Sequence, residues 1–368
     1  MSIRSLRNAH ALTFNRAYSV ISRRRLLQAS LVFGIALALA PMSTLAGEVN
    51  APPPVREHMV DAGYGQFHII EQGKGPAVLF VHGFPDTAAT WSSQMEAVAE
   101  AGYRAVALDM RGYGQSYAPE AADQYTALHL TGDLVSVLDA LSIETAVIVG
   151  HDWGAYQSQM AALLRPDRFT ALVSLAIPIY PRGNISFDDI IRNQGLQDVY
   201  YGFAMAAEGS ETKFADAAQS IPSILYWLSG SPEVSEGWDP LNPELHMLRP
   251  SPVEVPEWAD PEYVRHNIEA FTQTGFRGGM NYYRAFPKTF ELMVAYKNAA
   301  LQQPSLYIWG AEDGLSRMYH PDPPTLEELR ALQPNLVDQV RLENVGHWIQ
   351  IEAPDEVNKA LIDFLAGL

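Results

Sequence analysis

The stretch Gly150-His151-Asp152-Trp153-Gly154 sets an acid between two glycines, each two residues away. The apolar, β-branched run Ala146-Val147-Ile148-Val149 precedes it, and a run of helical character follows from Ala155. Strand, sharp turn and helix in that order raise the central side chain above a sheet. Small flanking residues let the strand and helix backbones approach at so tight a turn. A raised aspartate is ionised at neutral pH, so it can act as a nucleophile without first losing a proton. The same five residues also fit a buried or helix-capping aspartate, and their meaning depends on what else the chain supplies.

Two further groups stand out late in the chain. Of ten histidines, only His347 follows a late strand and sits in a Gly-His-Trp turn near the carboxyl end. Asp313 closes the strand-like run Ser305 to Trp309 through Gly310-Ala311-Glu312, with Glu312 as a neighbouring rival. The chain has no cysteine, which excludes thiolate catalysis, disulfides and cysteine-ligated metals. No cluster has metal-ligand spacing and no glycine-rich loop reads as a phosphate or dinucleotide cradle. No metal and no cofactor are expected.

The elements that must hold these residues alternate between strand and helix. Val55 to Val60 and Gln66 to Glu71 read as strands around a turn at Ala62-Gly63. Ala77 to Val81 is a continuous apolar run of the kind found in a central parallel strand. A helical segment from Thr90 to Ala101, the strand Arg104 to Leu108 and a helix from Ala127 to Leu141 lead to the Asp152 turn, and Ala171 to Ala176 is one more strand. This alternation implies a doubly wound, mostly parallel sheet, with ligands beyond the carboxyl ends of its strands. From 178 to 300 the alternation stops. That stretch is rich in Tyr, Trp, Phe, Pro and Met, with helical segments near Phe187 to Gln194, Lys213 to Ser220 and Tyr263 to Gln273. The pattern resumes with Ser305 to Trp309, the strand Val340 to Leu342 and an amphipathic helix from Asp355 to Leu365. The economical division is a core in two parts, 54–177 and 301–368, with a helical insertion over 178–300.

Composition bounds the partners. The chain has 368 residues, 48% hydrophobic and 18% charged, with a net charge of −17. So acidic a chain lacks the basic footprint of a general nucleic-acid binder. All six charged residues of the first 46 are arginines, so the remainder sets 19 basic residues against 42 acidic ones, a net of −23. Ser22-Arg23-Arg24-Arg25-Leu26-Leu27-Gln28 precedes the apolar run Leu31 to Ala40, and Thr44-Leu45-Ala46 offers a small-residue cleavage site. The paired arginines resemble a bacterial twin-arginine export signal. Residues 1–46 are therefore expected to be a signal peptide and the mature protein to be periplasmic or secreted. The apolar run is short for a bilayer span, and no stable membrane association is expected once it is removed.

Taken together, His82-Gly83-Phe84-Pro85, Asp109 to Ser116, Gly150 to Gly154, Phe276-Arg277-Gly278 with Asn281-Tyr282-Tyr283-Arg284, Gly310 to Asp313 and Gly346-His347-Trp348 resemble the epoxide hydrolase branch of the α/β-hydrolase family. The resemblance covers residues 54–368 and implies that family's sheet with a helical lid inserted between its halves. Nucleophile, acid and histidine follow one another in that fold, an order obeyed by Asp152, Asp313 and His347. It implies that Asp152 opens an epoxide to a covalent ester. His347, oriented by Asp313, then directs water at the ester carbonyl. The backbone amides of Phe84 and Trp153 would hold the oxyanion. Two lid tyrosines would assist ring opening; Tyr283 matches one, and the other maps to Tyr200, with Tyr201 as a near rival.

The implied partners are a small apolar epoxide and water. Oligomeric state is not readable. Arg111-Gly112-Tyr113-Gly114 and Gly278-Gly279 are read as structural, shaping loops and the hinge of the insert. His82 is read as a loop organiser, and His151 as pointing away from the site. Haloalkane dehalogenases share the aspartate, histidine and ester. Trp153 supplies one halide donor, but Phe84 stands where the second would be, leaving lid tryptophans such as Trp227 as substitutes. A non-catalytic receptor or secreted effector on this scaffold is the alternative of another class.

Overall fold

Every side chain of Ala77–Val81 is buried, because this strand lies mid-sheet with both faces covered. The computed structural model describes residues 53–180, 183–318 and 324–368. The arginine-rich segment read as an export signal lies outside the described residues. Eight strands form one sheet: β1 (Arg56–Asp61), β2 (Gln66–Gly73), β3 (Ala77–Val81), β4 (Arg104–Leu108), β5 (Ala146–His151), β6 (Phe169–Leu175), β7 (Ser305–Gly310) and β8 (Leu336–Leu342). Their spatial order is β1-β2-β4-β3-β5-β6-β7-β8. The β1–β2 and β2–β4 pairs are antiparallel and all the others parallel.

This order places the site. From β3 the chain steps sideways to β4, then crosses back over β3 to β5. Where the winding reverses, the loops leaving the carboxyl ends of β3 and β5 diverge and open a crevice. The loop from His82 and the turn at Asp152 both begin there.

Helices cover both faces. In chain order they are α1 (Ser92–Glu100), α2 (Ala127–Ala140), α3 (Trp153–Leu164), α4 (Phe187–Asn193), α5 (Tyr201–Ala206), α6 (Ala217–Leu228), α7 (Pro261–Thr274), α8 (Arg277–Leu292), α9 (Leu326–Leu332), α10 (Ile349–Glu352) and α11 (Pro354–Ala366). Met95 and Val98 of α1 share one core layer with Val357, Leu361 and Phe364 of α11. Leu130, Leu134 and Val137 of α2 share another with Ala161 and Ala162 of α3 and with much of the insert. Pro354 at the first position of α11, followed by Asp355 and Glu356, is a favourable helix start. No helix among the described residues is long and apolar enough to cross a membrane.

The insert between β6 and β7 carries α4 to α8, and there the structure departs from the sequence reading. Instead of a helix over 213–220, a short 3-10 turn spans Ser210–Phe214. The Asp216 side chain then accepts the Gln219 amide and starts α6, which runs on to Leu228 through Pro222. A proline in a helix costs about 3 kcal/mol. Ile221, Ile224, Leu225 and Leu228 are all buried, each worth roughly 1.5–3 kcal/mol, so packing outweighs the proline. Gly278-Gly279 is not a hinge either: both residues lie in the first turn of α8. A Cβ on Gly278 would overlap the Gly112 carbonyl, and one on Gly279 would meet the Phe84 ring. These glycines let the lid helix seat directly on the two core loops that flank the crevice.

Candidate active site

Asp152 sits at φ 53° and ψ −123°, a conformation that costs a non-glycine residue on the order of 1–3 kcal/mol. Its surroundings enforce that geometry. A Cβ on Gly150 would overlap the Gly154 carbonyl, and one on Gly154 the Val81 carbonyl, so β3, β5 and α3 meet at van der Waals distance. The Asp152 carbonyl accepts the Ala155 and Tyr156 amides at 2.9 and 3.1 Å and so begins α3. The carboxylate is left at the top of the turn, 8% exposed.

The loop after β3 supplies the first partner. The Phe84 amide donates to Asp152 Oδ1 at 2.8 Å, and the Phe84–Pro85 peptide is cis. A Cβ on Gly83 would overlap the Asp152 carboxylate, which explains that glycine. His82 shapes the loop from behind: its Nδ1–H donates to the Gly83 carbonyl and its Nε2 accepts the Met110 amide, both at 2.9 Å. Burial depresses its pKa, which fits a neutral ring that both donates and accepts.

His347 supplies the second partner. Its Nε2 lies 3.5 Å from Asp152 Oδ2, and its Nδ1–H donates to Asp313 Oδ2 at 2.9 Å. The Leu315 amide occupies Asp313 Oδ1 at 2.9 Å. Burial disfavours a charged imidazole, but the Asp313 and Asp152 carboxylates outweigh it and push His347 up to about 10. Burial alone would raise the Asp152 carboxyl as well, and the bond and charge of His347 hold it below its usual range. The resting site is thus an imidazolium between two carboxylates.

His151 is nearer the site than the sequence reading placed it. Its ring packs on that of His347, with centroids 4.7 Å apart. Its Nε2–H donates to the His347 carbonyl at 2.8 Å. Burial and the His347 charge drive it down to about 3, so it stays neutral beneath a charged neighbour.

Across the crevice the insert contributes tyrosines. A cavity of about 570 Å³ opens over Asp152 and Trp153 and is walled by Tyr201, Tyr283 and further lid aromatics. Tyr283 projects from the buried face of α8, edge-on to Trp153 at 4.8 Å between centroids. Burial, then the Asp152 charge, raises Tyr283 well above the usual phenol range, while hydrogen bonds from Trp153 and Tyr201 act in the opposite sense. Both Tyr200 and its rival Tyr201 line the cavity, and of the two it is Tyr201 whose ring lies beside that of Tyr283, 6.0 Å between centroids. Helix α5 starts at Tyr201, with Tyr200 as the residue before it, so the two neighbours point in different directions. The Tyr201 ring stands edge-on to that of Tyr283, and burial first, then neighbouring charges that include Asp152, raise its pKa. The Tyr200 ring packs edge-on against Phe187 and Phe203 in the cavity wall.

Other groups take structural positions. Arg111 is paired with Asp133 at 2.5 Å in the core, and its carbonyl accepts the Tyr282 hydroxyl at 3.0 Å. The Trp227 indole donates to the Arg249 carbonyl at 2.8 Å, which removes it as a halide donor. Among the described residues no group of three or more histidines and carboxylates could hold a metal ion.

These features define a class first. A family model described as the alpha/beta hydrolase fold matches residues 76–354. An epoxide hydrolase of Caballeronia sordidicola is 50% identical over 311 residues, covering 84% of this chain and 94% of that protein. Epoxide hydrolase A of Mycobacterium tuberculosis is 34% identical over 85% of this chain and 98% of its own. The crystal structure of epoxide hydrolase A from Mycobacterium thermoresistibile superposes with a TM-score of 0.78 at 34% identity, covering 86% of this chain and 99% of that one. The chain belongs to the epoxide hydrolases of the alpha/beta hydrolase fold.

Proposed function

We propose that this protein hydrolyses an apolar epoxide to a vicinal diol through an ester on Asp152. The observation that carries the reading is the geometry around that carboxylate. One oxygen is held by the Phe84 amide and the other faces His347, while the Tyr201–Tyr283 pair stands over it at the floor of an aromatic cavity.

The steps follow from charge. Asp152 attacks an epoxide carbon, the carbon–oxygen bond opens, and a tyrosine hydroxyl gives its proton to the departing oxygen. Esterification removes one of the two carboxylates that keep His347 charged. His347 then gives up its proton, which restores the tyrosine through solvent. The neutral imidazole takes a proton from water as that water adds to the ester carbonyl. The amides of Phe84 and Trp153 receive the oxyanion. Collapse releases the diol, whose oxygen takes the proton held by His347. The proton left on the Asp152 carboxyl returns to His347 and re-forms the ion pair. The sum is one epoxide and one water to one diol.

The cavity's aromatic walls favour an apolar substrate. Phe84 in place of a second halide donor, and the engagement of the Trp227 indole, weigh against haloalkanes. Incubating the protein with a panel of epoxides and haloalkanes tests this. Diol without halide is expected, and halide release outpacing diol formation would reverse the assignment. The paired arginines at 23 and 24, the apolar run to Ala40 and Ala46 before Gly47 support export of the folded protein to the periplasm or medium.

A further inference from the structure

The reaction read above uses Asp152, Asp313, His347 and the tyrosine pair, and leaves one sheltered carboxylate unexplained. Glu352, the last residue of α10, accepts three backbone amides and, among the described residues, no side-chain donor. Its Oε1 takes the Trp348 amide at 2.8 Å. Its Oε2 takes Gly346 at 2.9 Å and Gly230 at 2.8 Å. Among the described residues no cation pairs with it within salt-bridge distance.

The three amides are not arbitrary ones. Gly346 and Trp348 are the residues on either side of His347. Gly230 lies two residues beyond the end of α6, in the insert. Both backbone groups of His347 itself are also taken up. The His347 amide donates to the Leu228 carbonyl at 2.8 Å, and the His347 carbonyl accepts His151. A Cβ on Gly346 would overlap the Ser229 backbone, and one on Gly230 the Asn344 carbonyl. The end of α6 and the His347 turn are therefore in direct backbone contact, and Glu352 is the side chain that joins them.

We propose that Glu352 is the positioning residue of the ester-hydrolysis step, fixing the His347 turn against the end of lid helix α6. This rests on the reading of His347 as base. Burial pushes the Glu352 carboxyl up to about 7 against the pull of the three amides, so above neutrality it is the acceptor-only group that three N–H donors require. Asp152, Tyr201 and Tyr283 are carried by β5, α3, α5 and α8; the Phe84 amide holds one Asp152 oxygen, and only the 3.5 Å approach of His347 to the other runs through the turn that Glu352 holds. Loosening the His347 turn should therefore slow water attack, where placement errors on the order of 1 Å cost about 100-fold, and spare alkylation.

Glu352→Gln turns one acceptor into a donor facing amide N–H groups. Rapid mixing of this variant with an epoxide at pH 8, set against the unmodified enzyme, resolves the two steps. Alkylation within about twofold of normal, ester hydrolysis slower by about 10- to 100-fold, and ester accumulating on Asp152 are expected. Both rates falling together, or neither changing, would overturn the proposal. Should Glu352→Gln not fold, Glu352→Asp keeps the charge with a shorter reach and is judged by the same split between steps. His347→Gln with the same epoxide separates the two claims. An adduct there with normal hydrolysis in the Glu352 variants refutes only the positioning role, whereas no adduct refutes the reading beneath it.

Discussion

At the residue scale, chemistry is set by which groups face Asp152. Tyr200 and Tyr201 are chemically identical and adjacent, yet the first packs on Phe187 and the second on Tyr283. Tyr201→Phe is expected to slow single-turnover alkylation by about 10- to 100-fold, while Tyr200→Phe changes it less than threefold, roughly; equal effects would put the acid elsewhere. The two charges flanking His347 give a second expectation. In the free enzyme its pKa stands near 10, and esterification of Asp152 removes one of the carboxylates that raise it. The hydrolysis step should therefore show an apparent pKa below that of the free enzyme, read from single-turnover rates across pH. Asp152 and His347 were legible in the sequence because strand, turn and helix bracket the first and a Gly-His-Trp turn the second. The choice between Tyr200 and its rival Tyr201 was not, because the direction of a side chain depends on where α5 starts. Glu352 left only a faint signal, a lone carboxylate in the apolar stretch from Trp348 to Ala353.

At the element scale, the strands that carry the site were read to within a residue or two at most ends. Ala77–Val81 and Arg104–Leu108 match the structure at both ends, since two-sided burial writes a continuous apolar run. Strand β8 begins four residues before the stretch read from sequence, because only its two end residues are buried and it carries no such run. The insert was harder. Helix α8 has two glycines in its first turn and contains Pro287, local signals that argue against a helix, and its packing on Gly112 and Phe84 explains the glycines. Gly278→Ala should accordingly unseat the lid: a loss of about 1–3 kcal/mol in urea unfolding is expected, together with weaker substrate binding. An unchanged unfolding midpoint would show that the helix tolerates the extra methyl by moving.

At the scale of the whole molecule, buried ionisable groups tie stability to pH. His347 is raised from about 6.5 to about 10, and Asp86, buried between the core loop and Tyr263 of α7, is raised to about 7. A group raised in the folded state contributes stability that is full below its unfolded pKa and lost as pH climbs through the folded one. Both therefore predict an unfolding midpoint that falls with rising pH, between about 4 and 7 for Asp86 and between about 6.5 and 10 for His347. His151, lowered to about 3, works in the opposite sense below its unfolded pKa, so the clear window lies above neutrality: a midpoint rising from about pH 7 to 9 would contradict the His347 assignment. The division of the chain around an aromatic insert was legible because the strand–helix alternation breaks off after β6 and resumes at β7. The way the insert meets the core was not, since it runs through backbone contacts at Gly112, Gly278, Gly230 and Gly346. In the proposed mechanism Asp152 carries the substrate and His347 acts only afterwards. Intact-mass and peptide mass spectrometry of His347→Gln after incubation with an epoxide tests it most directly. One substrate mass gained on the peptide containing Asp152, with no diol turnover, is the expected result; sustained diol formation without that adduct would contradict it.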